Sequence, residues 1–310
     1  MNGAELAVLL VVLGVVGLWF GARLFVDAAA AFARRAGLSD LVVGLTVVAI
    51  GTGLPEFVVS VDAVLAGSGA VAVGNVVGSN VYNVAVVLGV TAVFGTVSVP
   101  RAVLGRDAVA LVGSSVLAFA VLRDGRLARP EAAVLLALFV GYLLVLARAD
   151  DDELHDVPQT GVARPAKTAV ELGVGLGLVV ASGHVLVDSA VTLARSVGVS
   201  EWAIGSTLVA AGTSTPELAV SLTALARGRT GVSVGNVVGS SVFNVLGVLG
   251  VAGLIQPLSV GRTALADTLW LVVLTVLTVA VLWTGRRLTR AEGLLLVASE
   301  AGRWVVDLIG

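Results

Sequence analysis

Two glutamates stand in the middle of long apolar runs, each directly after a proline: Pro55-Glu56 and Pro216-Glu217. A carboxylate at that depth is costly in lipid, so it faces a partner, a cavity or an ion. Hydroxyl and amide side chains accompany both in the same order: Thr52, Ser79 and Asn83 with Glu56, and Thr213, Ser240 and Asn244 with Glu217. The chain has no cysteine, and its two histidines, His155 and His184, lie outside these stretches. The donors are therefore all oxygen. Such a set suits a hard cation such as Ca²⁺, which takes about six to eight oxygens in flexible geometry. Two carboxylates neutralise one Ca²⁺ or nearly neutralise three Na⁺. The blander reading makes Ser, Thr and Asn interhelical packing groups. It fits the glutamates poorly, because duplicated intramembrane acids beside helix breaks have few inert explanations.

The elements that must position these residues are themselves duplicated. Residues 44–89 recur as 205–250 at a constant offset of 161, with 26 of 46 positions identical. The first copy reads Gly51-Thr52-Gly53-Leu54-Pro55-Glu56 and then Gly74-Asn75-Val76-Val77-Gly78-Ser79-Asn80-Val81-Tyr82-Asn83. The second reads Gly212-Thr213-Ser214-Thr215-Pro216-Glu217 and then Gly235-Asn236-Val237-Val238-Gly239-Ser240-Ser241-Val242-Phe243-Asn244. Proline lacks an amide donor and clashes with the preceding turn, so a helix break is predicted at Pro55 and at Pro216. Gly51, Gly53 and Gly212 are expected to permit the unwinding. The carbonyls freed near Ala49 and Ala210 then become candidate cation ligands, since unwound backbone at membrane depth must face protein or a cavity.

Hydrophobic residues make up 57% of the 310 positions and charged residues 13%. Mean hydropathy is +1.04. Apolar runs long enough to cross a ~30 Å hydrocarbon core recur from end to end. They predict an all-α polytopic membrane protein of ten transmembrane helices, with the N-terminal run taken as a first span rather than a signal peptide. Five spans fall in 1–147 and five in 168–310, joined by an acidic stretch, 148–167, read as a solvated cytoplasmic linker. Five is odd, so the second half enters from the opposite side: two inverted five-helix repeats with broken core helices. Placing both termini outside puts thirteen basic residues on the inner side and six on the outer. The positive-inside rule favours that orientation, in a cell membrane. A net charge of −2 gives no argument for nucleic acid.

Taken as a pair, the motifs Gly-Thr-x-x-Pro-Glu and Gly-Asn-x-x-Gly-Ser-x-x-x-Asn resemble those of the cation/calcium exchanger superfamily, most closely its prokaryotic sodium/calcium exchanger branch. The resemblance covers essentially the whole chain. It implies a secondary-active antiporter exchanging Na⁺ for Ca²⁺ by alternating access. Spans 2, 3, 7 and 8 would hold the ions, while spans 1 and 6 slide against them. It further implies that Glu56 and Glu217 are the central ligands. Thr52, Thr213, Ser79 and Ser240, with the Ala49 and Ala210 carbonyls, would form flanking sodium sites, and Asn83 and Asn244 would line the middle. Two residues depart from the family pattern. Gly53 replaces the serine usual in the first repeat, and Asn244 stands where several relatives have Asp, which speaks against potassium co-transport.

The same glutamates could carry protons, so a Ca²⁺/H⁺ or other cation/H⁺ antiporter is the alternative, and a passive cation channel is a third reading. No enzyme is expected, because neither histidine lies in the repeats to act as base or metal ligand. Neither a cofactor nor a protein partner is required by any of these motifs. Asp27 and Asp188 are read as helix-end or gating contacts, His184 as an interfacial residue and Asp62 as a vestibule residue. Glu300 is expected to pair with Arg303, three residues on. The acidic stretch lacks the Asp/Gly/Glu order of an EF-hand loop.

Overall fold

A computed structural model describes residues 3–99, 103–153, 165–196 and 210–309. They form helices α1 (Gly3–Ala36), α2 (Asp40–Thr52), α3 (Leu54–Leu65), α4 (Gly69–Phe94), α5 (Leu104–Leu122) and α6 (Arg129–Glu153). These are followed by α7 (Pro165–Ser196), α8 (Ala210–Thr213), α9 (Thr215–Ala226), α10 (Thr230–Ile255), α11 (Arg262–Gly285) and α12 (Arg290–Ile309). The protein is a helical membrane protein. Among the described residues seven helices are long and apolar enough to cross a bilayer, or eight if α2 and α3 count as one bent span. Helix α12 falls short because it carries Glu292, Glu300, Arg303 and Asp307.

The break before Glu56 is narrower than the sequence suggests. Only Gly53 leaves the helix, Pro55 sits in the first turn of α3, and the axis bends by 44°. Ala49 keeps its backbone bond to the Gly53 amide at 3.0 Å. In α4 the helix passes Gly74 and Gly78 unchanged, and the loosening comes as a wide π-turn at Asn83–Val87. Its counterpart in α10 is Phe243–Val248. Helix α6 runs on to Glu153 and α7 starts at Pro165, so both helices enter the stretch 148–167 read as linker; 154–164 lie outside the described residues.

Burial separates an inner pair from the rest. The most apolar windows of α4 and α10 are 78% and 83% buried, against 22–39% for α1, α5, α6, α7 and α11. The outer helices expose large apolar side chains such as Val12, Phe20, Val140 and Leu277, as lipid contact requires. Helix α1 lies antiparallel along α7. A Cβ at Gly14 would meet Leu186 at 3.0 Å, and one at Gly175 would meet the Phe25 backbone at 2.7 Å. Adding 161 to 14 gives 175 and subtracting it from 186 gives 25, so the two contacts are one contact seen from either side.

Two short strand pairs repeat this reciprocity. β1 (Val97–Ser98) pairs with β4 (Arg287–Leu288), and β2 (Arg126–Leu127) pairs with β3 (Leu258–Ser259), both antiparallel. Val97 lies opposite Leu288 and Leu127 opposite Leu258, again interchanged by the offset of 161. Each half thus packs on the other with the same surface, the signature of a two-fold relation.

Candidate cation site

Glu56 and Glu217 are both fully buried, as are Thr52, Asn83, Ser214, Ser240 and Asn244. Each glutamate sits in the first turn of the helix after its break, α3 or α9. Both helix N-termini direct a positive dipole end towards the negative side chains.

One asparagine braces each glutamate from the neighbouring helix. Asn75 Nδ2 donates to the Glu56 carbonyl at 3.1 Å and to Ser60 Oγ at 3.0 Å. Asn236 Nδ2 donates to the Glu217 carbonyl at 3.2 Å and to Ser221 Oγ at 3.0 Å. These braces fix the backbone and leave the carboxylates free. Both went unrecognised in the sequence as positioning residues. The available signal was that Asn75/Asn236 and Ser60/Ser221 are identical in the two copies.

The predicted hydroxyls meet across the repeats rather than within them. Thr52 Oγ1 lies 3.5 Å from Ser240 Oγ, and Ser240 Oγ donates to the Ala49 carbonyl at 3.3 Å. The reciprocal pair is Ser79 Oγ and Thr213 Oγ1, 3.4 Å apart. So each flank takes one threonine and one serine from opposite halves. Thr52 also donates to Asn236 Oδ1 at 3.0 Å, linking a flank hydroxyl to the Glu217 brace. The Ala49 carbonyl is shared with hydroxyls as well as with the Gly53 amide, so it is turned into the site without being freed by unwinding. Ala210 opens α8, next to residues outside those described.

The flanks differ at one position. Ser214 Oγ donates to Glu56 Oε1 at 2.9 Å. Its counterpart is Gly53, which has no hydroxyl to offer Glu217. Gly53 has φ −79° and Ser214 φ −90°, a conformation open to any residue. Gly53 is therefore not there to unwind the chain. A Cβ at 53 would come within 2.9 Å of the Phe243 ring, so the glycine makes room for that ring. Gly51 and Gly212 likewise serve packing, against Leu176 and Phe25 and against Val187.

Several buried polar atoms at the site have no hydrogen-bond partner among the described residues: Glu56 Oε2, both Glu217 oxygens, and both amide atoms of Asn83 and Asn244. No described hydrogen bond ties Asn83 or Asn244 to a carboxylate. Orphaned buried polar groups each cost about 1–3 kcal/mol, more when charged, and oxygens gathered without donors are what a cation satisfies. Among the described residues no group of three or more His, Cys, Asp or Glu could hold a metal; here two acids are supplemented by neutral oxygens.

A groove of about 850 Å³ runs between α3, α7 and α9 and is lined by Pro55, Val58, Leu176, Val187, Thr213 and Pro216. It reaches the Thr213 flank from the surface. His184 and Asp188 also line it, 3.3 Å apart on α7. Asp27 instead pairs with Arg227, joining α1 to the end of α9, and Asp40 pairs with Arg229 at 3.2 Å. These are the helix-end contacts expected of Asp27. Asp62 is exposed on α3. Glu300 pairs with Arg303 at 2.6 Å, and Arg303 also reaches Asp267 at 3.0 Å.

The family model described as "Sodium/calcium exchanger protein" matches residues 6–148 and 167–299, one match to each half. A putative antiporter, CaxA, of Alkalimonas amylolytica is 36% identical over 96% of this chain and 97% of its own length. The sodium/calcium exchanger MaX1 of Methanosarcina acetivorans is 30% identical, covering 93% and 95%. Among solved structures, the sodium-calcium exchanger NCX_Mj soaked with Na⁺ and Sr²⁺ superposes with a TM-score of 0.83 at 30% identity over 98% of both chains. The same exchanger soaked with neither Na⁺ nor Ca²⁺ also scores 0.83, so the match is to the scaffold irrespective of the ions soaked in.

Proposed function

The chain belongs to the sodium/calcium exchanger protein family, and we propose that it exchanges Na⁺ for Ca²⁺ by alternating access, holding the ions between Glu56 and Glu217. The observation that carries this reading is the pair of fully buried glutamates whose side-chain oxygens are largely without donors, set among hydroxyls contributed by both halves. Na⁺ and Ca²⁺ compete for the same carboxylates, so loading one expels the other. The carrier reorients only when loaded, because unpaired carboxylates in a closed, dry site are penalised. Thr52, Ser240 and the Ala49 carbonyl form one flank. Thr213, Ser79 and the Ala210 carbonyl form the other, with Asn83 and Asn244 between them. Burial of both acids favours an occluding carrier over an open pore.

The scaffold in this proposal is ten spans in two inverted five-helix repeats, 1–147 and 168–310, with both termini outside and 148–167 in the cytoplasm. Every cross-contact described above joins segments that this scheme puts on one side. β1 with β4 and Asp27 with Arg227 fall inside, and β2 with β3 falls outside. The antiparallel contact of α1 with α7 has the reciprocity of a two-fold axis in the membrane plane. The glycines at the α1–α7 contact, Gly14, Gly17, Gly21 and Gly175, let these two helices pack backbone to backbone, which supports their moving as one unit over the core. Because the chain has no native cysteine, Arg126→Cys and Arg287→Cys test the topology directly. An impermeant maleimide should label the first and not the second in right-side-out vesicles.

The decisive functional measurement is Ca²⁺ uptake into proteoliposomes preloaded with Na⁺ and diluted into Na⁺-free medium. Uptake that needs the outward Na⁺ gradient supports the reading. Uptake driven by a pH gradient without Na⁺ moves the assignment to Ca²⁺/H⁺ antiport, which the donor-free Glu217 carboxyl, able to hold a proton, also suits.

A further inference from the structure

The groove that reaches Thr213 has a mirror image elsewhere in the fold, and that image is shut. Val58 and Val59 of α3 line the groove together with Gly183 and Val187 of α7. The offset of 161 turns these into Ala219 and Val220 of α9 and Ala22 and Val26 of α1. Those four pack in a single apolar cluster. Val59 is 39% exposed, whereas Val220 is fully buried. The protein is thus open at one end of the two-fold scheme and closed at the other. Charge fastens the closed end. Asp27 of α1 pairs with Arg227, the residue that ends α9. Two residues on, Arg229 pairs with Asp40 of α2 at 3.2 Å, which fixes the turn that carries Arg227. At the open end the acid remains and the arginines do not. The counterpart of Asp27 is Asp188, while Ala66 and Ser68 stand in the places of Arg227 and Arg229.

Resting on the alternating-access reading above, we infer that Asp27 and Arg227 form a one-sided electrostatic latch that holds the inner end of the carrier closed. Opening the mirror groove parts α1 from α9, and so takes Asp27 away from Arg227. Closing the outer groove brings α7 to α3, where Asp188 would meet Ala66 and gain nothing. The pair therefore belongs to one of the two states alone, and an equilibrium moves only by such a difference. It shifts the balance towards the outer-open state. Asp40 and Arg229 act as positioning residues, since both belong to the core and keep Arg227 turned towards α1. Asp27 is 47% exposed and Arg227 27%, so salt reaches the latch and screens it.

Labelling with a water-soluble thiol reagent reads the balance, because the chain has no cysteine of its own. Val59→Cys reports the open groove and Val220→Cys its closed image, each in vesicles of known sidedness without an ion gradient. Asp27→Asn should raise labelling of Val220→Cys from the inner face about two- to fivefold. It should lower labelling of Val59→Cys from the outer face. Choline chloride at high concentration should do the same to the parent protein and add nothing to Asp27→Asn. Ala66→Arg, which offers Asp188 the partner that Asp27 already has, should move both reporters in the same sense as Asp27→Asn. Labelling of Val220→Cys that neither Asp27→Asn nor salt alters overturns the latch and leaves alternating access standing. A rise at both reporters together also overturns it, since that marks a loosened fold. If Val220→Cys stays unlabelled whichever ion is supplied, alternating access falls and the latch falls with it.

Discussion

The Glu56 and Glu217 flanks share a frame but not a ligand set. Each glutamate follows a proline in the first turn of a helix, each is braced by an asparagine 19 residues on, and each flank pairs a threonine with a serine from the other half. The frame is therefore duplicated almost bond for bond. At the ligands the symmetry ends: Ser214 donates to Glu56 Oε1, while among the described residues neither Glu217 oxygen has a hydrogen-bond partner. A backbone brace is indifferent to which ion is carried, so the two copies have kept it alike. The atoms that meet the ion decide selectivity and count, and there the copies differ.

The harshest test of the comparison removes each carboxylate. Glu56→Gln and Glu217→Gln should each reduce Na⁺-driven Ca²⁺ uptake by at least ~100-fold, about 2.7 kcal/mol or more in binding or barrier, with folding checked by thermal melting. Glutamine at 217 places an amide where no described donor or acceptor answers it, whereas glutamine at 56 can still accept from Ser214. The Glu217 variant should therefore also be the less stable of the two. Uptake left intact by either change would dissolve the site.

Next come the braces. Asn75→Ala and Asn236→Ala should each lower stability by about 1–3 kcal/mol, the usual consequence of stranding buried hydrogen-bonding groups. Asn236 should be the costlier, since Thr52 also donates to it and Asn75 shows no such third bond. Denaturant or thermal unfolding in detergent reads both. Equal losses would mean that Thr52 is not tied into the brace.

How much of this was legible in the residues follows from what repetition can and cannot convey. Pro55 and Pro216 marked the breaks because a missing donor acts locally. The offset of 161 carried every site position from one copy to the other, and the four hydroxyls it picked out do meet in pairs, Thr52 with Ser240 and Ser79 with Thr213. What it could not convey was which residue meets which. Thr52 meets Ser240 and not Ser79 because the halves cross, a tertiary fact. Gly53 looked like a hinge, and only the position of the Phe243 ring shows that it is a space. The wide turns at Asn83–Val87 and Phe243–Val248 contain no proline, and the single glycine in them, Gly247, stands opposite Val86 in the first copy, so no shared letter marks them. Asn75 and Asn236 were in plain view as repeated letters, but a brace on a backbone carbonyl has no chemistry that composition would flag.

A milder change probes the ligand difference itself. Ser214→Ala takes from Glu56 the donor that Glu217 already lacks, making the flanks alike in their poverty. A hydrogen bond to a charged group is worth about 1.5–3 kcal/mol, part of which the ion recovers by moving closer. The apparent Na⁺ affinity should fall about tenfold, equivalent to ~1.4 kcal/mol, while Ca²⁺, held by both carboxylates, should lose less. The Na⁺ concentration for half-maximal Ca²⁺ release measures it. If Na⁺ and Ca²⁺ dependence shift equally, Ser214 supports the carboxylate without distinguishing the ions.

The smallest effect expected lies away from the ions, where the same two-fold relation is again imperfect. Asp27 of α1 reaches across to Arg227 at the end of α9, but its counterpart Asp188 is engaged on its own helix by His184, and Ala66 stands where Arg227 would be. Only the first pair ties an outer helix to the core. Both pairs are partly exposed, and such ion pairs contribute about 0–1 kcal/mol. Asp27→Asn should lower the melting temperature slightly and less so in high salt, while Asp188→Asn should leave it unchanged. The sharper reading is kinetic. If α1 slides during transport, the Asp27–Arg227 pair must open in one direction of the cycle, and Asp27→Asn should speed or slow Ca²⁺ flux about two- to fivefold, a change of under 1 kcal/mol in barrier. The mirror change at Asp188 should do nothing comparable. Identical responses at the two positions would mean that the pair to Arg227 holds no more than a surface contact.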